Sequence, residues 1–373
     1  MKVVVIGAGA LGLCTARELV RLGVDDVTVI DRAHVAAASS GLSVGIIETQ
    51  YLDPLAIEIR VLAMAIFAEL ERTGLPITRN GYLRPARTEA DLAAYERSVE
   101  VQHALGVADA VVLDTAQLRR LVPDMHCDDF PGGLWGPSDG YIDGHLYCSL
   151  LAEGLTVLPN TRLTGYRRNG GHRLATSRGE LQCDVVVNAA GGWAGHVGEL
   201  LGAPVPILPQ RHQALVAHLP RKLDYVMPSV MDYIPATGDY GLYFRHESPE
   251  HLIAGLHTEE AIHDIVDPDD FGRSDEQAYM ELVAERFARR LPGLAEARLG
   301  NVWAGLYPIS PDGQPIVGPY ADREGVFTVA GAGGSGLQQS PALGRLAAEW
   351  IVHGEPRTIA AAAALHPERA SLA

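Results

Sequence analysis

The amino end of the chain carries the pattern that most limits its fold. A β-branched apolar run predicts a buried parallel strand at Lys2–Ile6. The glycine-rich turn GAGALG follows at residues 7–12, and the next residues predict a helix over Leu13–Leu22 and a second strand over Val27–Ile30. Strand, glycine turn, helix and strand in this order are typical of a dinucleotide-binding βαβ unit.

Each glycine of this turn has its own physical role. Gly7 permits the tight turn, Gly9 lets the main chain approach a pyrophosphate, and Gly12 lets the helix pack closely on the strand. The helix N-terminus then offers N–H groups and a partial positive charge to the phosphates. Asp31 ends the second strand at the spacing that places a carboxylate on a ribose hydroxyl, which favours FAD or NAD over NADP.

Two later glycine segments favour FAD over NAD. A strand predicted at Cys183–Val187 runs into NAAGGW, and another at Val326–Val329 runs into AGAGGSG before a helix predicted over Pro341–Val352. A long cofactor that lies across a sheet needs several close approaches of the main chain, which glycine permits. A helix N-terminus near the flavin N1–C2=O edge would also stabilise the anionic reduced ring. An NAD-dependent dehydrogenase is the alternative, and it leaves the two later loops unexplained.

Composition excludes several classes of partner. A formal charge of −16 over 373 residues repels a polyanion, so we expect no nucleic acid. No apolar run reaches the ~18–20 residues of a membrane span, and no basic amphipathic stretch predicts binding to a membrane surface. The first residues fit a buried strand better than a signal peptide, which predicts a cytoplasmic protein. The four cysteines are scattered without a CxxC pair, so neither a disulfide framework nor a metal site is expected.

The chain resembles the D-amino-acid oxidase superfamily of flavoproteins, and most closely the pattern of monomeric sarcosine oxidase, sarcosine oxidase β subunits and glycine oxidase. The resemblance covers nearly the whole chain. The segments that carry it are GAGALG with Asp31, Ser39-Ser40-Gly41, Gly45-Ile46-Ile47, Asp139-Gly140, VVNAAGGWAG, LYPISPDGQPIVG and GAGGSGLQQSPALG. The last two segments, in this order near the carboxyl end, are specific to the superfamily.

The resemblance implies an α/β fold with two domains. A discontinuous, Rossmann-like FAD-binding domain would take residues 1–77, 139–204 and 308–373. A substrate domain with helices and a mixed or antiparallel sheet would take residues 78–138 and 205–307. The sequence agrees with this division, because Pro204-Val205-Pro206 marks a boundary and the alternating stretches at Tyr240–Phe244 and His251–Leu256 predict half-exposed strands.

The resemblance also implies which residues surround FAD. The expected cofactor residues are Gly7, Gly9, Ala10, Leu11, Gly12, Asp31, Arg32, Ser39, Ser40, Gly45, Ile46, Leu163, Ala190, Gly191, Trp193, Gly305, Gly331, Gly333, Gly334, Ser335, Gly336, Leu337 and Gln338. The cysteine that bonds to the flavin in monomeric sarcosine oxidase corresponds to Gly305, so we expect noncovalent FAD.

The implied reaction is FAD-dependent oxidation of a C–N bond in a small amine or amino acid. Hydride would pass to flavin N5, and water would hydrolyse the imine product. His257 follows the strand predicted at Leu252–Leu256 and matches the histidine that faces the flavin in the sarcosine oxidase pattern, while Tyr307 matches a tyrosine near the substrate. Tyr243 and Trp303 are candidate walls of the substrate pocket.

Two departures from the family pattern concern the substrate carboxylate. Sarcosine oxidase holds that carboxylate with an arginine and a lysine, where this chain has Glu48 and Gln338. The substrate could be an amine without a carboxylate, with Glu48 holding the ammonium and His257 or Glu48 accepting its proton. Alternatively, Arg245 or Arg211 could hold the carboxylate. A third alternative makes Glu48 part of a salt bridge outside the pocket, to Arg60 or Arg79.

The electron acceptor and the assembly are open at this stage. The lysine that activates oxygen in monomeric sarcosine oxidase corresponds to Ile253, which makes either oxygen or another acceptor compatible with the pattern. Rival functions are an FAD-dependent dehydrogenase of a 2-hydroxy acid or other C–O substrate, and a flavin subunit of a larger amine dehydrogenase complex. A homo-oligomer is equally compatible with the sequence.

Overall fold

A parallel sheet forms the first layer of the fold. The computed structural model describes residues 1–232, 241–257, 265–272 and 277–372, so Tyr240 lies outside the described residues. Elements are numbered in chain order. The strands of a six-stranded sheet are, in spatial order, β18 (Ile316–Pro319), β19 (Val326–Ala330), β12 (Val185–Asn188), β1 (Lys2–Ile6), β2 (Asp26–Ile30) and β8 (Thr156–Leu158). β18 alone among these six runs antiparallel to its neighbour.

A second, larger sheet faces the cavity described below. Its eight strands are, in spatial order, β17 (Arg298–Ile309), β13 (Leu208–His218), β16 (His251–His257), β15 (Gly241–Ser248), β14 (Ser229–Asp232), β4 (Tyr82–Ala86), β6 (Gly132–Gly136) and β5 (Val111–Asp114). All neighbours run antiparallel except β14 and β4, which makes this a mixed sheet. The predicted fold class is therefore confirmed.

Two small sheets complete the described strands. β3 (Ile46–Ile47) pairs with β7 (Gly140–Tyr141), and a three-stranded antiparallel sheet contains β9 (Leu163–Arg168), β10 (His172–Thr176) and β11 (Gly179–Cys183). The strands of the parallel sheet and of these two sheets lie in the segments predicted for FAD. The eight-stranded sheet lies in the other segments, apart from the last two residues of β17; the domain boundaries themselves stay a prediction.

The helices cover the parallel sheet and support the mixed one. They are α1 (Ala10–Arg21), α2 (Ser39–Leu42), α3 (Pro54–Arg72), α4 (Glu89–Ala104), α5 (Thr115–Leu121), α6 (Gly144–Ala152), α7 (Ala194–Leu201), α8 (Gln277–Arg290) and α9 (Gly336–His353). α1, α3 and α9 pack together over the apolar core of the parallel sheet. No helix in the described part of the chain is long and apolar enough to cross a membrane.

The last helix begins earlier than the sequence predicts. α9 starts at Gly336 instead of Pro341, so the proline lies inside the helix. Proline has no N–H to donate to the carbonyl of Leu337, four residues before it. The hydroxyl of Ser340 donates to that carbonyl instead, over 2.8 Å, which lets the helix accommodate the proline. The earlier start brings the N-terminus of α9 to the edge of the cavity.

Candidate active site

A large cavity is lined by residues of both main sheets. Its volume is about 1390 Å³, above the range of roughly 300–1,000 Å³ typical of pockets for small ligands. One end meets the GAGALG turn and the carboxyl ends of β1 and β2. The other end is bounded by α3, β4, β13 and β17. The cavity therefore has room for a long cofactor and a small substrate together.

The first glycine turn is built for close approach of main-chain groups. Gly7 has φ +118°, and a Cβ there would lie 2.3 Å from the carbonyl oxygen of Ala189. A Cβ on Gly12 would lie 2.0 Å from the carbonyl oxygen of Gly7, so α1 could not pack on β1. The Ala10 N–H donates to Ser40 Oγ over 3.0 Å, which places the serine turn against the start of α1.

Asp31 lies at the carboxyl end of β2 and lines the cavity. Its Oδ2 accepts a hydrogen bond of 2.8 Å from the Ala8 N–H, and its Oδ1 accepts one of 2.7 Å from the Ala33 N–H. A carboxylate has about four lone-pair sites, so acceptor capacity remains for a ribose hydroxyl. This geometry fits the role that the spacing predicts.

Three side chains join across the nucleotide end of the cavity. Asp269 Oδ1 accepts from Arg32 Nη1 at 2.5 Å and from Trp193 Nε1 at 2.7 Å. The Arg32 guanidinium also lies over the Trp193 ring, 5.1 Å from its centroid. Both hydrogen bonds lower the pKa of Asp269, and the one from Trp193 has the larger effect. Residues from distant parts of the chain thus form a bridge, named here the Asp269 bridge.

The late glycine loop reaches the same cavity from the carboxyl end of the chain. A 3₁₀ turn at Gly333–Ser335 leads directly into α9, whose first residues line the cavity. A Cβ on Gly334 would lie 2.4 Å from Cε2 of Tyr307, so only glycine lets the loop pack against that ring. The helix N-terminus therefore offers N–H groups to the cavity, as the sequence predicts.

Most of the residues expected to bind FAD line the cavity. They are Gly7, Gly9, Ala10, Leu11, Asp31, Arg32, Ser39, Ser40, Ile46, Leu163, Ala190, Gly191, Trp193, Gly305, Gly333, Gly334, Ser335, Gly336, Leu337 and Gln338. Gly12, Gly45 and Gly331 are not among the lining residues. Gly12 and Gly45 allow close packing instead, since a Cβ on Gly45 would lie 1.9 Å from the carbonyl oxygen of Ile142.

Glu48 and Gln338 form a pair at the far end of the cavity. Glu48 is only 2% exposed and follows β3. The amide orientation of Gln338 that satisfies both residues turns its nitrogen toward Glu48, 3.2 Å from Oε1. Glu48 Oε2 also accepts from the Gln50 N–H at 2.5 Å. Burial raises the pKa of Glu48, while Arg60 and Arg84 act in the opposite direction.

A buried polar network holds the segment that carries Glu48. Asp139 Oδ1 accepts from the Thr49 N–H at 3.2 Å, and Oδ2 accepts from Gln50 Nε2 at 2.8 Å. Gln102 of α4 donates to Gln50 Oε1 and accepts from Thr49 Oγ1. Burial first, and Glu48 second, raise the pKa of Asp139 well above its usual range. The network fixes the main chain around Glu48.

The end of the cavity lined by Glu48, Gln338, Tyr51 and Tyr307 is named here the chamber. Two arginines also line it. Arg60, on α3, places Nε 4.0 Å from Glu48 Oε1, and its guanidinium lies 3.3 Å from the centroid of the Tyr51 ring. Arg84, on β4, donates from Nε to the Gln50 carbonyl at 3.1 Å. Arg79 pairs with Glu71 elsewhere, so the alternative that joined Glu48 to Arg79 is wrong.

Rings from three strands form the opposite wall. His212 stacks on Tyr307, with 3.8 Å between centroids and 16° between planes, and its centroid lies 5.7 Å from that of His257. Burial, with a smaller effect of His257, lowers the pKa of His212 to about 3. Burial, and secondarily Tyr51, raises the pKa of Tyr307 to about 12. His212 is therefore neutral and Tyr307 protonated at ordinary pH.

Tyr243 and Trp303 line the cavity as the sequence predicts. The Tyr243 hydroxyl donates to the Gln213 carbonyl at 3.2 Å, and the Trp303 Nε1 donates to the Leu42 carbonyl at 2.9 Å. Because both polar groups bond to main-chain carbonyls, these residues present mainly ring surface to a ligand.

Comparison with known proteins identifies the family. A family model described as DAO, FAD dependent oxidoreductase, matches residues 2–350. The chain belongs to this DAO family. Mouse mitochondrial sarcosine dehydrogenase is 29% identical over 95% of this chain and 40% of its own length, and the sarcosine oxidase subunit beta of Rhizobium meliloti (strain 1021) is 27% identical over 96% of this chain and 86% of its own length. The structure of L-proline dehydrogenase from P. horikoshii superposes with a TM-score of 0.86 at 24% identity, over 98% of this chain and 96% of that one.

Membership of the DAO family makes the protein an FAD-dependent oxidoreductase. The residues present fit FAD: the glycine cradle and Asp31 suit the nucleotide half, and the late glycine loop suits the flavin half. The chain spans about 40% of the length of the mouse sarcosine dehydrogenase that it matches. All four cysteines are buried, and none lies among the residues that line the cavity.

The structure places Arg245 and Arg211 outside the lining of the cavity. Arg245 Nε donates to the Val44 carbonyl at 2.6 Å, Nη1 pairs with Glu247, and the guanidinium stacks 3.9 Å from the Tyr141 ring. Arg211 Nε donates to a main-chain carbonyl at 2.8 Å. The structure therefore gives no support to Arg245 as a substrate residue or to the alternative that held a carboxylate with Arg245 or Arg211.

Sequence reasoning did not assign Arg60, Arg84, Tyr51 or His212 to the site, although all four line the cavity. A signal exists for the two arginines. Arg60 lies on the buried face of the apolar helix α3, and Arg84 interrupts the buried run of β4. Charged residues are rarely buried unless paired or functional, so each position is a candidate site residue.

In the described part of the chain, no group of three or more His, Cys, Asp or Glu side chains could hold a metal ion.

Proposed function

We propose that this DAO-family protein uses FAD to oxidise a C–N bond of a small amine or amino acid. The observation that carries the proposal is the chamber that continues the cofactor cavity, in which Glu48 and the imidazoles of His212 and His257 lie among aromatic rings. These groups can accept a proton or a hydrogen bond from an amine, and the rings limit access of water. Sarcosine, a secondary amine, appears in the names of two relatives, which supports the same chemistry.

The residues of the chamber must first remove a proton from the substrate ammonium. The nitrogen lone pair must be free before a hydride leaves the neighbouring carbon, so an ammonium must lose a proton. His257 and Glu48 are the proposed acceptors, and such a base contributes typically ~10²–10⁴-fold to the rate. Burial raises the pKa of Glu48, which brings this carboxylate closer to the range of a useful base. Bound FAD supplies the two-electron acceptor, and the imine product hydrolyses in water.

We propose that Tyr307 and His212 orient the substrate while both side chains stay uncharged. The Tyr307 hydroxyl stays protonated and can donate one hydrogen bond, because its pKa is raised to about 12 by burial and by Tyr51. His212 stays neutral, because burial and His257 lower its pKa to about 3. A neutral imidazole stacked on Tyr307 holds the ring in place and does not repel an incoming ammonium.

We also propose that the physiological electron acceptor is something other than oxygen. Ile253 is buried and packs with Ala214 and Tyr243, so no cation stands at this position to favour reduction of oxygen. The holoenzyme should then reduce an artificial dye faster than oxygen. Rapid oxygen consumption in an oxygen electrode, matching the rate with dye, would contradict this point.

A partner chain is the remaining part of the proposal. One relative is named as a subunit, and the matched dehydrogenase extends well beyond the region shared with this chain. We propose that the protein assembles with a second chain or with copies of itself. Size-exclusion chromatography with light scattering on protein from its native host tests this, and a monomer of full activity would exclude it.

The experiment that tests the reaction class uses the colour of the flavin. Aerobically purified protein should be yellow and release FAD on acid denaturation. Without oxygen, one amine or amino acid of a panel should bleach the flavin, whereas 2-hydroxy acids should not. Bleaching by a 2-hydroxy acid alone would move the proposal to C–O oxidation, and a colourless protein that cannot be reconstituted with FAD would reject it.

A further inference from the structure

The charged groups of the chamber differ from those of the sarcosine oxidase pattern that the chain resembles. The family pattern would place an arginine and a lysine where this chain has Glu48 and Gln338, and these two side chains now bond to each other. Two other guanidinium groups, of Arg60 and Arg84, line the same chamber. Both lie near the Tyr51 ring, at 3.3 Å and 5.5 Å from its centroid.

Arg60 is the less satisfied of the two arginines. It is only 3% exposed, and Nη1 donates to the Ala56 carbonyl at 2.9 Å. Its buried Nε has no hydrogen-bond partner among the described residues, because Glu48 Oε1 is 4.0 Å away and too distant to accept. A buried N–H of a charged group without an acceptor is unfavourable, so this N–H is available to donate to an oxygen of a bound ligand.

Arg84 supplies a second donor to the same space. The described hydrogen bonds use Nε, to the Gln50 carbonyl, and Nη2, to the Tyr82 hydroxyl at 3.3 Å. Nη1 takes part in neither bond. Burial acts to lower the pKa of Arg84, but Tyr82 and Glu48 outweigh it, so the guanidinium stays charged. Its fixed orientation suits a carboxylate oxygen.

The charges of the chamber favour a zwitterion. The guanidinium groups of Arg60 and Arg84 line the chamber together with the carboxylate of Glu48, so groups of both charges face the same space. No hydrogen bond joins Glu48 and Arg60, since Oε1 and Nε lie 4.0 Å apart. The Glu48 carboxylate attracts an ammonium, and the Arg60 guanidinium beside it attracts a carboxylate. An amino acid carries these two charges on neighbouring atoms of a short chain.

We propose that Arg60 and Arg84 bind the carboxylate of the substrate, with Glu48 facing its amine, so that the substrate is an amino acid or N-alkyl amino acid. This inference rests on the proposed amine oxidation. It assigns the carboxylate subsite to residues of α3 and β4 and excludes a simple amine as the preferred substrate.

Acetate is the probe, because it carries the carboxylate and cannot be oxidised at a C–N bond. Acetate added to the oxidised holoenzyme should perturb the visible flavin spectrum, and neutral acetamide should do so far less. Arg84→Gln and Arg60→Gln should each weaken acetate binding roughly 30-fold or more, the effect expected for truncating one partner of a buried charge pair. Arg79→Gln is the matched control, since Arg79 pairs with Glu71 away from the chamber and should leave acetate binding unchanged.

The FAD content and melting temperature of each variant show whether it has folded. If Arg60→Gln does not fold, Arg60→Lys, which keeps the charge but not the planar group, takes its place, and Arg84→Gln remains an independent test. Native FAD content with unchanged acetate affinity in both arginine variants overturns the inference.

A substrate pair separates this inference from the proposed function. Sarcosine should reduce the flavin more efficiently than dimethylamine, and Arg84→Gln should shrink that preference. Bleaching by both compounds with no preference, unchanged in Arg84→Gln, overturns the carboxylate subsite and leaves the amine oxidation standing. Acetate binding that depends on the arginines, with no bleaching by any amine or amino acid, supports the anion subsite and rejects the amine oxidation.

Discussion

The side-chain amide of Gln338 faces the carboxylate of Glu48, with 3.2 Å between the amide nitrogen and Oε1. This pair occupies a chamber that two arginines and several rings also line. Because Glu48 is buried, its protonation is coupled to the stability of the protein.

Glu48→Gln should raise the stability of the holoenzyme at neutral pH. The pKa of Glu48 is raised in the folded state by burial, against the effect of Arg60, so the folded state binds this proton more tightly than the unfolded state does. Wild-type stability should therefore fall, relative to the variant, as pH rises from the ordinary glutamate pKa through the raised one. Melting temperatures across that range should coincide at acidic pH and diverge above it. Exposed Glu100 on α4 gives the control, since Glu100→Gln should show no such divergence.

Gly334→Ala should damage the flavin end of the site. The new Cβ would lie 2.4 Å from Tyr307 Cε2, and that ring is stacked on His212 at 3.8 Å, so it has little room to move. Overpacking of this kind costs about 1–3 kcal/mol, which should appear as weaker FAD binding in a fluorescence titration. Gly300→Ala is the control, because its Cβ would meet nothing within 4 Å and Gly300 is not among the residues that line the cavity. Equal FAD affinity in the two variants would contradict the packing argument.

Asp269→Ala should speed the loss of FAD. The change removes the Asp269 bridge by deleting the acceptor for Arg32 Nη1 and Trp193 Nε1. The pair is half exposed, so the effect should be modest, roughly two- to fivefold in the dissociation rate. The rise in flavin fluorescence after dilution of the holoenzyme measures it. Asp270→Ala, at an exposed neighbour, should leave the rate unchanged; an equal effect there would show that the charge of the segment, not the bridge, matters.

The two histidines should differ in the pH dependence of kcat/KM. Burial and His257 lower the pKa of His212 to about 3, so His212 does not titrate in the working range. His212→Phe, which keeps the stack on Tyr307, should leave the midpoint of the acidic limb in place. His257→Phe should lower kcat/KM by ~10²-fold or more if His257 is the base. Loss of the acidic limb in His212→Phe would instead identify His212 as the titrating group.

The nucleotide end of the fold could be predicted because its constraints are local. Gly7 must adopt φ +118°, and Gly12 must pass within contact distance of the Gly7 carbonyl, so each position admits little besides glycine. The sequence also predicts the strand Lys2–Ile6 with its observed bounds. The sequence predicts the start of α9 too late, because Pro341 is typical of a helix start and nothing in the sequence indicates that the Ser340 hydroxyl replaces the missing bond.

The substrate end depends on contacts that spacing does not reveal. Arg60 and Arg84 belong to a helix and to a strand of the other sheet, and they meet only because both elements close the same chamber. Arg245 shows the reverse case. It shares a strand face with Tyr243, two residues before it, yet its guanidinium turns to the Val44 carbonyl and the Tyr141 ring.

The most direct test of the account is the product balance of a single anaerobic turnover with the substrate found in the panel. Oxidation of a C–N bond predicts that each equivalent of FAD bleached yields one equivalent of a carbonyl group and one of an amine or ammonia, as the imine hydrolyses. The two are separate products of an open-chain amine and stay in one ring-opened product of a cyclic amine. Bleaching that yields a carbonyl compound in which every C–N bond of the substrate is intact would contradict it, and would show that the bond oxidised is C–O.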